Sequence, residues 1–281
     1  MTNAGSSAQP VSWGRHQDWS WQSPKEFAHA RDLRSVPITL NEAVTAAACF
    51  VLVFVPGPVG PMPHALLRRG AQGHSAFVGR EGQWQASWLP PRLSAWPFDL
   101  LASPGGGHAL AVHEDSDLVV HGRAGHPIFA QGDGAPALAP ETARRAAILK
   151  TQAEALPATA RASAALADLG LLTEFDPDRS LLVTDPQAAA DLDEAGVVAL
   201  HRSGALALLH AGLVSHAHLA WMEKAERLLT AAPPPRPSPA SDRQRIVPGS
   251  RFLAALAADP SADEALIQFS GLIPTCTDQN S

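Results

Sequence analysis

The 281-residue chain is 46% hydrophobic, with a formal net charge of -6 and a pI near 6.0. That much apolar material can bury a full core, in one large domain or two small ones, and excludes a chain disordered throughout. A net negative charge without any run of lysines or arginines leaves no electrostatic footprint for nucleic acid or an anionic membrane surface.

Residues 1–20 are mostly small and polar and read as a flexible N-terminal segment. Trp13, Trp19 and Trp21 are the exceptions, and part of the segment is expected to dock, because disordered tails rarely carry tryptophan. The start lacks the basic and apolar regions of a secretory signal. Cys49 and Cys276 form neither a disulfide framework nor a metal motif, so a reduced, cytoplasmic setting is expected. The most apolar run, 43–55, is 13 residues long and closed by Pro56-Gly57-Pro58, short of the roughly 20 needed to span a bilayer. It reads as a helix over 42–48 feeding a buried strand over 50–55.

Residues 77–80 and 83–89 read as a hairpin about a glycine turn, with Trp84 and Trp88 on one face because they are an even number apart. Strands follow over 98–102, 109–113 and 118–121, and their close turn signals favour an antiparallel sheet over βαβ units. Two helices, 141–156 and 158–169, are divided by Pro157 and capped by Gly170, with Ala146, Leu149, Ala153 and Leu156 as the inward stripe. A strand over 181–184 and a helix over 191–203 lead to the apolar run 205–213, read as a buried strand with a helix as the alternative. Ser215 is placed to cap a helix carrying 221–229. Residues 231–249 hold a Pro-rich linker, and 250–281 read as a short helical tail. The architecture expected is α+β: a mostly antiparallel sheet of short strands packed with helices, plus a C-terminal helical extension, with residues 21–230 as the main domain.

The stretch 82–98, GQWQASWLPPRLSAWPF, holds three tryptophans, Trp84, Trp88 and Trp96, interleaved with Pro90, Pro91 and Pro97. The prolines imply a strand, a bend and a second extended piece. Such an aromatic density is either the core of a β-corner or a recognition groove with Arg92 at its rim, suited to an extended peptide or a sugar ring. Trp84, Trp88, Arg92, Trp96 and Phe98 are the candidate ligand-binding residues.

The pattern W-x-x-x-W-L-P-x-x-L-x-x-W-P-F resembles the central motif of the SapC-like family, bacterial proteins named after a surface-layer-associated protein. Val36-Pro37-Ile38-Thr39-Leu40-Asn41-Glu42, Pro63-His64-Ala65-Leu66-Leu67 and Gly125-His126-Pro127-Ile128-Phe129 keep the family's order, and the resemblance spans roughly residues 20 to 225. It implies a link to surface-layer or cell-envelope biology but names no reaction. Family members usually carry a basic residue just before the aromatic-Pro-Phe triplet, where this chain has Ser94 and Ala95 and places its arginine at Arg92.

Local patterns for chemistry are sparse. His113-Glu114-Asp115 has the H-x-D spacing that supplies two ligands of a facial iron triad, with His121 or His126 as a third, but it equally describes a polar hairpin turn. His216 and His218 lie about 200° apart on a helix and do not share a ligand. There is no nucleophile elbow, and Gly105-Gly106-Gly107 lacks the lysine of a phosphate loop. No catalytic residue, metal site or cofactor is assigned from these patterns. The reading is a non-catalytic binding or accessory component with a peptide, sugar or protein partner; the alternative is a metal-dependent enzyme acting on a peptide or sugar through His113 and Asp115.

Overall fold

Short apolar runs punctuated by glycine and proline fold into three antiparallel sheets in a computed structural model that describes residues 8–70, 73–102, 107–132, 135–175 and 180–230. The first half holds β1 (Gln9–Pro10), α1 (Trp13–His16), β2 (Trp19–Trp21), β3 (Ser35–Pro37), α2 (Ala43–Ala47), β4 (Leu52–Val55), β5 (Met62–Leu66), α3 (Pro91–Ser94), β6 (Phe98–Ala102) and β7 (His108–Val112). Then come β8 (Val119–His121), β9 (His126–Pro127), α4 (Pro140–Asp168), β10 (Leu172–Glu174), β11 (Leu182–Thr184), α5 (Pro186–Ala190), α6 (Glu194–Ser203), α7 (Ala205–Ser215) and α8 (His218–Thr230). A five-stranded sheet runs β10-β11-β4-β5-β3, and two three-stranded sheets run β1-β7-β6 and β8-β2-β9. The fold is α+β, its strands short and antiparallel and its helices concentrated in the second half. The linker and helical tail read over 231–281 lie outside the described residues.

Residues 9–21, most of which fall in the stretch 1–20 read as flexible, supply an edge strand to one sheet and the central strand to another. Trp21 explains the docking: it is fully buried, and its indole Nε1 donates to Thr142 Oγ1 at 2.8 Å. Apolar side chains gather in two clusters. The larger joins the five-stranded sheet, through Leu52, Phe54 and Leu66, to α2 and α7; the smaller holds Trp21, Ala95, Phe98, Val112, Ile128, Phe129 and Leu149.

Helix α4 connects them. Its 29 residues give it a length of about 43 Å, with Leu149 in the smaller cluster and Ala162 and Leu166 in the larger. The expected division at Pro157 does not occur, because Pro157 lies on the exposed side, where the bond it cannot make opens toward water. The buried stripe also differs from expectation: Leu149 is inside, Leu156 is exposed, and Thr142, Gln152, Thr159 and Ser163 share the inner face. Three of these polar residues have partners: besides receiving Trp21, Thr142 donates to the Pro127 carbonyl at 3.0 Å, Thr159 Oγ1 accepts the Leu40 N–H at 2.9 Å, and the Gln152 amide donates to Glu42 at 3.1 Å. Gly170 ends the helix as expected, at φ 66°, with the Leu171 N–H on the Leu166 carbonyl and the Gly170 N–H on the Ala167 carbonyl.

The apolar run after Gly204 is helix α7 and not a strand. Gly204, at φ 75°, closes α6 and opens α7, so one residue turns the chain and the run continues helically. Ser215 is likewise not a cap for α8. Fully buried, it donates to the Gly212 carbonyl at 2.6 Å and accepts the Leu52 N–H at 2.9 Å, tying α7 to β4.

Candidate functional site

The aromatic run begins in a smaller hairpin than expected: Val78 and Trp84 form a single bridge, and Gly82 turns the chain at φ 88°. The chain then curls, so that the Trp84 indole donates to the Trp88 carbonyl at 3.0 Å. Both rings are half-buried and face the larger cluster, Trp84 at 5.8 Å from Phe27 and 6.1 Å from Phe50, and Trp88 at 6.1 Å from Phe50.

The expected second extended piece is instead the helical turn α3. Pro91 sits at its first position, where the missing N–H would have no intrahelical acceptor, and the Pro90 carbonyl receives the Leu93 and Ser94 N–H groups at 2.9 and 3.1 Å. This turn sends Leu93 into the larger cluster and Ala95 into the smaller. Phe98 follows into the smaller cluster, 2% exposed and edge-on to Trp21 at 5.3 Å. Of the five residues expected to form one surface, Trp84 and Trp88 therefore line one core, Phe98 lies inside the other, and Arg92 and Trp96 occupy the seam between.

Polar and titratable groups converge on that seam. The rings of His29 and His113 both stack on Trp96, with centroids at 4.9 and 4.3 Å and interplanar angles of 9° and 27°. Arg92 donates to Asp99 Oδ1, which also accepts the Leu100 N–H at 2.5 Å, while His113 Nε2 lies 3.7 Å from Asp99 Oδ2. Burial alone would raise the Asp99 pKa, but His113, Arg92 and the Leu100 N–H hold it below the usual carboxylate value. His64, on β5, shares a 3.0 Å hydrogen bond with the Ser35 hydroxyl on β3. Burial pushes His29 and His64 down to about 4, reinforced by His113 at His29 and by Arg92 at His64. His29 arrives from the 3₁₀ turn Ala28–Ala30, and its Nε2 is buried with no hydrogen-bond partner. None of the 82–98 pattern points to His29, His64 or Ser35; they reach the seam through tertiary packing.

The residues of the metal reading are dispersed. His113 serves Trp96 and Asp99, whereas Glu114 accepts from Arg15 at 2.5 Å and lies 3.0 Å from His16 Nε2. Asp115 is exposed, His121 lies on Trp19 at 3.8 Å, and His126 is 5.0 Å from Trp21. Among the described residues, no group of three or more His, Cys, Asp or Glu side chains could hold a metal ion. No single described helix is long and apolar enough to cross a membrane; α6 and α7 pass by length and composition only as a pair bent by 103°.

The SapC family model matches residues 12–222 of the chain. No curated protein and no solved structure gives a match.

Proposed function

Since the chain belongs to the SapC family, we propose that it acts as a non-catalytic binding or accessory component, linked through that family to surface-layer or cell-envelope biology. Its recognition surface, on this reading, is the seam edge formed by Trp96 and Arg92, with Trp84, Trp88 and Phe98 holding that edge in place from the two cores. The observation that carries it is a partly exposed Trp96 whose partner His113 lies on the same carboxylate, Asp99, as a guanidinium whose side chain is 34% exposed. The indoles of Trp21 and Trp84 donate to protein acceptors, but among the described residues none meets the Trp96 N–H. An indole donor and a guanidinium on one seam suit an acceptor-rich ligand, such as a peptide carbonyl or a carboxylate on a peptide or sugar acid. Arg92 is already matched by Asp99, so the ligand must compete for the guanidinium, which favours selectivity over tight binding.

The test is titration calorimetry of the full chain with short alanine peptides and with glucuronic acid, repeated on Trp96→Phe and Arg92→Ala. Binding should weaken at least tenfold in each variant. Equal affinity in wild type and both variants, or no binding of either probe to the wild type, refutes the site. A stable protein partner recovered without any small-molecule response would favour a scaffold instead.

A further inference from the structure

The seam is built from elements that belong to different sheets. His64 comes from β5 in the five-stranded sheet and His29 from the turn preceding β3; Asp99 comes from β6, His113 follows β7 in a three-stranded sheet, and Arg92 and Trp96 lie on and just after α3. From α4, Arg145 reaches the Ser94 carbonyl and lies over Trp21 at 5.4 Å, adding a second cation nearby. Asp99 is the acidic side chain bonded to Arg92, and it has His113 on its other oxygen. Among the described residues no carboxylate forms an ion pair with His29 or His64, so a positive charge on either would be uncompensated.

We propose that this seam is an acid-released latch, in which proton uptake by His29, with the charge on His64 adding to it, parts the turn before β3 from the α3–β7 segment and uncovers Trp96. The two imidazoles differ in how they resist a proton. At His29 a proton on the buried Nε2 would have no acceptor, and its stacking on the indole does not replace one. At His64 the charge would add to that of Arg92. Both groups are depressed when the seam is closed and return toward about 6.5 when it opens. Opening is therefore favoured progressively as pH falls through 6.5 toward 4, by a factor on the order of 10² for each histidine, and does not grow further below 4.

The latch gives the proposed binding edge a regulator and rests on that reading only for its biological use. Its test contains no ligand, so the two fail separately. Tryptophan fluorescence of the full chain is followed from pH 7.5 to 3.5, with the Trp96→Phe signal subtracted and far-UV circular dichroism recorded in parallel. The result expected is a change at Trp96 with a midpoint below 6.5 that precedes loss of secondary structure. His29→Phe combined with His64→Asn, which keep a stacking ring and a polar partner for Ser35, should abolish it, and Arg92→Gln, which relieves the repulsion on His64 in the closed seam, should move the midpoint to lower pH. The latch is refuted if the fluorescence change coincides with global unfolding or persists at the same midpoint in the double variant. Should that variant not fold, proton NMR of the unaltered chain decides: His29 and His64 must titrate together with the Trp96 signal, and titration independent of it overturns the inference.

Discussion

Ser215→Ala isolates the contact that fastens α7 to the five-stranded sheet. Strand β11 pairs with β4 at Leu182 opposite Phe54, but helix α7 stands close against the end of β11, where a methyl on Gly212 would lie 2.5 Å from Thr184 Cγ2. The Leu52 N–H is satisfied there by the Ser215 hydroxyl at 2.9 Å, with both residues fully buried. Removing the hydroxyl leaves that N–H without its acceptor and without access to water, which costs about 1–3 kcal/mol. For a folded unit of this size, that corresponds to a fall in Tm of roughly 3–10 °C. Urea unfolding followed by circular dichroism measures it directly, with the denaturant slope expected to stay constant. The control is Ser203→Ala, whose hydroxyl only donates to the Leu200 carbonyl at 3.1 Å and which should fall within about 0.5 kcal/mol of wild type. If Ser215→Ala is no more destabilised than that control, the hydroxyl is not anchoring β4 and the assignment is wrong.

Two further outcomes test the smaller cluster and the seam. Gly125→Ala should lower Tm and the near-UV signal of Trp21, since its Cβ would lie 2.5 Å from the Trp21 carbonyl oxygen, a backbone atom that cannot swing aside; Gly14→Ala, with nothing within 4 Å, should be silent, and equal behaviour of the two would refute the clash. Asp99→Asn should destabilise the protein at pH 7, because the carboxylate with its depressed pKa contributes stability above its unfolded value of about 3.9 and loses it as pH falls through the lower folded value. The urea-midpoint gap between variant and wild type should therefore narrow from about pH 5 downward, and a gap constant down to pH 2.5 would contradict that sign.

Local rules were enough where the chain obeyed one period or one punctuation mark. The strands at Leu52–Val55, Phe98–Ala102 and Val119–His121 stand between glycine, proline and acidic turns, and Gly170 ends its helix because only a left-handed residue fits there. Elsewhere the deciding term was tertiary. Ala205–Ser215 is apolar on nearly every side, so strand and helix could not be told apart by period, and burial of one side, Ala205, Leu208, Leu209, Ala211, Gly212 and Ser215, in a helix packed on α2, α4 and β4 decided it. Pro157 was legible as a helix breaker, but its exposure, which removes the penalty of an unsatisfied buried carbonyl, was not.

The aromatic run shows the same division at the scale of the site. Its composition marked a packed corner correctly, yet the direction of each ring depended on the turn that Pro91 initiates. With that turn in place the run alternates between cores: Trp84 and Trp88 to the larger, Leu93 to the larger again, Ala95 and Phe98 to the smaller. Three tryptophans within thirteen residues thus serve first as a joint between two apolar clusters, which accounts for their density without any ligand. What the joint does not explain is the company kept by Trp96. His29, stacked on it, precedes it by 67 residues, shares no local spacing with it, and is buried at a cost to its protonated form. A joint made only for stability would place aliphatic residues there, since apolar groups of similar size carry no desolvation penalty. The imidazole on Trp96, and the arginine bonded to Asp99, are therefore the groups whose substitution separates a joint made for stability from the binding edge proposed above.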